Sequence, residues 1–121
     1  MVVFGGPFPL LLSLANGGVV IETDAPGKFE LSPGFPVILN NGHGAWGPSG
    51  GREAFTFLYR KLIYQEDGVT PFGMTRTRGR GSLSRDGLTF TATLLIEIED
   101  LTGQLLFAAE GTASGSKIRV E

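Results

Sequence analysis

A single histidine, His43, stands between Gly42 and Gly44 in the 121-residue chain. Imidazole is the side chain whose unperturbed charge changes near neutral pH, so His43 is the first candidate for acid-base chemistry. Flanking glycines let a backbone approach a ligand closely, yet a strand-end histidine with ordinary hydrogen bonds explains the same residues. Glu53, Tyr59 and Arg60 are the other polar groups that a reaction would draw on. Tyr59 and Arg60 are adjacent in a strand-like run, so one of the two must point inward. An inward Arg60 needs a carboxylate such as Glu22 or Glu53, or an anionic ligand group, whereas an inward Tyr59 is a core tyrosine with a satisfied hydroxyl. Serine hydrolysis is not expected, because Ser13, Ser32, Ser49 and Ser82 lie in no Gly-x-Ser-x-Gly elbow. One histidine without a carboxylate cluster at ligand spacing makes no metal site, and Gly5-Gly6-Pro7 and Gly50-Gly51-Arg52 lack the strand-turn-helix context of a phosphate loop. No cofactor is expected.

Arg76, Arg78 and Arg80 form the densest charge in the chain. Ten Lys and Arg against 12 Asp and Glu nevertheless leave a net charge of −2, so the arginines read as a solvated face balanced by Glu53, Glu97, Glu99 and Glu110 rather than as a nucleic-acid site. Zero cysteines remove disulfides and thiolate chemistry and fit a cytoplasmic origin. The uncharged stretch through Ile21 includes Pro9 to Ala15, an apolar run resembling a secretion signal. No Lys or Arg precedes it, and Gly5, Gly6, Pro7 and Pro9 interrupt it, so it reads as strand. No apolar run approaches the ~18 residues needed to span a bilayer.

The elements that must position these groups are strands. Nineteen glycines and seven prolines among β-branched and aromatic residues point to an all-β chain with many tight turns, and the length suits one domain, 1–121. Asp86-Gly87 as a hairpin tip pairs Leu83 with Phe90, Gly81 with Ala92, Gly79 with Leu94, Thr77 with Ile96 and Thr75 with Ile98. That face is apolar or small, and the arginine row lies on the other. A loop from Asp100 to Gly103 pairs Ile98 with Leu105, Ile96 with Phe107 and Leu94 with Ala109. The two ladders agree on the inward face, which makes three consecutive antiparallel strands. Residues 53–64 form a further strand whose register is open. Pairing Tyr64 with Val69 turns Phe55, Phe57 and Tyr59 outward, whereas a bulge at Thr70-Pro71, the preferred reading, buries them. Asn16-Gly17-Gly18 marks an earlier hairpin, Val2 to Phe4 a short first strand, and Gly42 to Gly47 another strand. The proline- and glycine-punctuated segment 23–41 reads as a lid or wrapped loop. The sum is an antiparallel up-and-down (meander) β-barrel of about eight strands.

The stretch Gly42-His43-Gly44-Ala45-Trp46, then Arg52, Phe55-Thr56-Phe57, and Arg78-Gly79-Arg80-Gly81-Ser82-Leu83-Ser84 before Asp86-Gly87 resembles a group of small bacterial lipocalin-like barrel proteins over roughly residues 8–120. The resemblance implies a calycin-like barrel that binds a small apolar molecule, and no particular reaction. Three functions are then expected. In the first, the barrel carries a small apolar molecule in a cavity lined by Phe90, Leu94, Ile96, Leu105 and Phe107, with Trp46 contacting the ligand or closing the floor. In the second, it resembles barrel cyclases and isomerases, with His43, Glu53, Tyr59 and Arg60 steering a hydrophobic substrate. In the third, side chains fill the barrel and function lies on the outer arginine and aromatic face; if Phe55 and Phe57 lie outside with Leu95, Leu106 and Ala108, that surface suits self-association and a homodimer is a reasonable expectation.

Overall fold

The computed structural model describes residues 2–3, 7–8, 10–15, 18–24, 28–50 and 53–116. Twelve strands follow one another: β1 (Val2–Val3), β2 (Pro7–Phe8), β3 (Leu10–Ala15), β4 (Val19–Asp24), β5 (Lys28–Ser32), β6 (Phe35–Leu39), β7 (Gly42–Pro48), β8 (Ala54–Arg60), β9 (Leu62–Gln65), β10 (Pro71–Leu83), β11 (Thr89–Asp100) and β12 (Leu105–Ser116). Every ladder is antiparallel, and no helix occurs among the described residues. None is therefore long and apolar enough to cross a membrane. The main path of the sheet runs β2-β1-β12-β11-β10-β8-β7-β4-β3, with β9, β6 and β5 branching from β10. No described ladder joins β2 to β3, so what stands is a meander sheet with two ends. Gly5, Gly6, Asn16, Gly17, Pro26, Gly27, Gly51 and Arg52, which carried turn and loop readings, lie outside the described residues.

The β10–β11 hairpin keeps the register that its alternation dictates, from Leu83 opposite Phe90 down to Thr75 opposite Ile98. Its turn is held by Asp86, whose carboxylate accepts from the Leu88 N–H at 3.0 Å and the Ser84 hydroxyl at 2.5 Å, while Gly87 takes φ 74°, which only glycine adopts without strain. The β11–β12 hairpin departs from expectation. Ile98 pairs with Phe107, Ile96 with Ala109 and Leu94 with Gly111, two residues further along β12 than a loop ending at Gly103 gives. Asp100 causes the shift. Its carboxylate accepts from Thr102 N–H at 2.9 Å and Gln104 N–H at 3.0 Å, which draws Gln104 into the loop, and the ladder slips once more between Ile98 and Glu99. A two-residue shift preserves which face is inward, but it carries Leu105 to the strand end, where it is 53% exposed. Leu105 does not line an interior.

Between β9 and β10 the ladder slips between Pro71 and Gly73, next to the proline that cannot donate. Tyr64 accordingly faces Pro71, and Phe55, Phe57 and Tyr59 are buried. The segment 23–41 is not a loop. Ser32-Pro33-Gly34 turns a hairpin, with Gly34 at φ 80°, and Pro36 enters β6 opposite Glu30. Pro33 and Pro36 sit at and beside the turn rather than breaking the strands, and Val37 is fully buried.

Strand interruptions fall in line across two neighbours: at Asn40-Asn41 between β6 and β7, and at Lys61 between β8 and β9. Strands β10, β11 and β12 pass this level unbroken. The local cause at Lys61 is Thr75, whose hydroxyl accepts the Lys61 N–H at 3.0 Å, while Thr75 N–H donates to the Lys61 carbonyl at 2.9 Å. A hydroxyl thus takes a bond that a ladder carbonyl would otherwise accept. Two apolar clusters lie on either side, one of Val20, Phe55, Phe57, Tyr59, Ala92, Leu94 and Ala113, the other of Val37, Ile63 and Ile98.

Candidate functional site

Alternation along β8 and β9 sends Phe55, Phe57, Tyr59, Lys61 and Ile63 to one face, and all five are buried. The first three rings form a ladder, Phe55 to Phe57 at 6.0 Å and Phe57 to Tyr59 at 6.1 Å between centroids, the latter two nearly parallel. Glycines on the neighbouring strands receive rings of this kind. Phe57 lies over Gly79, where an added Cβ would stand 2.0 Å from the ring, a Cβ on Gly81 would stand 2.9 Å from Phe55, and one on Gly115 would stand 2.7 Å from Phe90. The inward glycines therefore do not mark empty space. They are beds for aromatic rings.

Beyond the rings the same face turns polar. Lys61 is 5% exposed, and Thr75 and Thr77, opposite it and Tyr59 on β10, are 4% exposed each. Together they form a belt of one amine and three hydroxyls between the two apolar clusters. Burying an amine is costly unless it is hydrogen-bonded, so this belt is the most chemically specific feature of the inward face. It was readable in the pattern: if Phe55, Phe57 and Tyr59 point in, so does Lys61. A lysine is so regularly a surface residue that its place in this row passed unremarked. Next to the belt, Ile96 and Ala109 face each other in mid-sheet and are only half-buried, as are Phe90 and Phe107. Neighbouring strands cover the edges of Ile96, so its accessible surface lies on the inward face.

Of the expected lining residues, Phe90, Leu94, Ile96 and Phe107 share that face, and Trp46, opposite Phe57, packs half-buried against the first cluster. The four residues considered for catalysis are not brought together. His43 is exposed on the outward face, opposite Arg60. Arg60 points outward too, where its guanidinium pairs with the Glu99 carboxylate and its Nε lies 3.5 Å from the Thr75 carbonyl. Glu53 sits at the bend before β8, its carbonyl accepting the Leu83 N–H. Tyr59 alone faces in. The side chain of Glu22 lies outside the described residues.

The outward face repeats across five strands. One row runs Ala45, Leu58, Arg78, Leu95, Glu110, and the next Gly47, Thr56, Arg80, Thr93, Thr112. Between these rows lies a groove of about 780 Å³. Phe55 and Phe57 take no part in this surface, so it is not the aromatic face that an unbulged register predicts. Arg78 approaches Glu97 at 3.9 Å. Among the described residues no cluster of histidine, aspartate and glutamate is arranged to hold a metal ion.

Comparison of the chain with protein-family models, with curated proteins and with solved structures found no match. The likeness to lipocalin-like barrels thus rests on the pattern of strands and glycines.

Proposed function

We propose that the protein binds a small amphiphilic molecule on its inward face, with the apolar body against Phe90, Ile96 and Phe107 and an anionic head at Lys61, Thr75 and Thr77. The observation that carries this reading is the buried amine and hydroxyl belt beside half-accessible apolar residues in mid-sheet. Ligand sites characteristically combine an apolar lining with a few convergent polar groups, whereas a core serving stability alone gains nothing from burying a lysine.

The reading includes a closed barrel. Val2 pairs with both Ala113 and Phe8, and Phe8 is separated from the start of β3 by residue 9 alone. Taking β2 with β3, β4 with β5, β6 with β7 and β8 with β9 as single strands gives eight, and β1 then links the last to the second. Such closure removes the sheet edges and encloses the inward face, as in lipocalin-like barrels.

Displacement of the fluorescent probe 1-anilinonaphthalene-8-sulfonate tests the proposal. Dodecanoate is expected to displace it about tenfold better than dodecan-1-ol, a difference of about 1.4 kcal/mol, and Lys61→Met is expected to bring the two together. No probe binding to folded protein overturns the interior site. An unchanged carboxylate preference in Lys61→Met overturns the role given to the lysine.

A further inference from the structure

We propose that the outward face centred on β11 is a two-fold interface with a second copy of this chain. Leu95 lies in the middle of the row Leu58, Arg78, Leu95, Glu110. Strands β10 and β12 flank β11 at equal spacing, about 4.8 Å on either side. A two-fold axis along β11 therefore sets Leu95 on its own copy and brings each Arg78 over the partner's Glu110. Two sheets facing each other at about 10 Å accommodate such a contact, with strands near alignment. The row of Leu95 is thus complementary to itself, as an isologous contact requires; in the next row each Glu97 meets its own copy with an Arg76 beside it, and the matched row sets the register.

The groups involved have unused capacity. The Arg78 guanidinium reaches its own Glu97 only at 3.9 Å, beyond hydrogen-bond range. Neither Arg80 nor Glu110 has an ion-pair partner among the described residues. This inference is independent of the interior site.

Sedimentation velocity of the full chain, with circular dichroism as the control for folding, tests it. The wild type is expected to dimerise, less tightly at high salt. Arg78→Glu and Glu110→Arg are each expected to weaken the dimer at least tenfold, and the double exchange to restore it to within a few-fold. Arg78→Gln and Glu110→Gln, which place no like charge beside Glu97, serve the same comparison if an exchange unfolds the chain. A wild type that stays monomeric, an assembly larger than two, or a dimer indifferent to the substitutions overturns the proposal.

Discussion

The pairing of Gly79 with Phe57 shows how closely single side chains are specified here. A methyl group at position 79 meets the Phe57 ring, and the ring is hemmed by Phe55 and Tyr59 on its own strand. Overpacking of this kind costs about 1–3 kcal/mol. Gly79→Ala is expected to lower the unfolding free energy measured in urea by that amount, and Phe57→Leu in the same chain to recover part of it. The two effects should be non-additive in a double-mutant cycle, because the residues share one space; additivity would mean that the ring has somewhere else to go. At this scale the sequence was half legible. The inward parity of Gly79, Gly81 and Leu94 followed from the Asp86-Gly87 turn, but what fills the glycine positions depends on Phe55 and Phe57, whose own face hung on one bulge. Lys61 was hidden by its residue type, although its parity was set by the same bulge.

Three consecutive hairpins are closed by the same device, an aspartate that accepts hydrogen bonds from the loop that it begins or enters. The Thr70 hydroxyl and N–H hold the Asp67 carboxyl below the usual aspartate range; the Ser84 hydroxyl, with the Leu88 N–H, does so for Asp86, and the Thr102 hydroxyl, with the Gln104 N–H, for Asp100. A group with a depressed folded pKa contributes stability above its unfolded value, near 3.9 for aspartate, and the contribution is lost as pH falls through the folded value. Denaturation midpoints measured from pH 6 to pH 2 are therefore expected to separate wild type from Asp100→Asn most at the upper end and to converge at the lower. A constant gap would mean that the Asp100 charge does not stabilise the turn. The same aspartate explains a misread ladder: Asp100 to Gly103 was recognised as a turn, but the capture of Gln104 by the carboxylate is a side-chain choice that alternation does not reveal. In segment 23–41, proline and glycine were weighed as breakers, although Pro33-Gly34 flanked by apolar residues also describes a hairpin tip.

For the molecule as a whole, the meander order followed from turn signals read one after another, whereas the β1–β12 pairing, on which the proposed closure relies, joins residues more than a hundred positions apart, which local pattern does not encode. With no cysteine in the chain, a Val2→Cys, Ala113→Cys pair offers a clean test, because facing residues in a ladder fall within the Cα separation that a disulfide tolerates. Oxidation is expected to remove both free thiols in the monomeric fraction; thiols that remain free, or link only between chains, would argue against closure. The aligned interruptions at Asn40-Asn41 and Lys61 bear on how the fold comes apart. The part built from β5, β6 and β9 rests on the smaller cluster around Val37, Ile63 and Ile98, while β11 and β12 share an unbroken ladder of eleven pairs apart from one slip. Hydrogen exchange is expected to reach the amides of β5, β6 and β9 at a lower free energy than those of β11 and β12. Melting would then begin at one end of the molecule and stop at Thr75 and Lys61, leaving the aromatic half standing for a time as a separate cooperative unit.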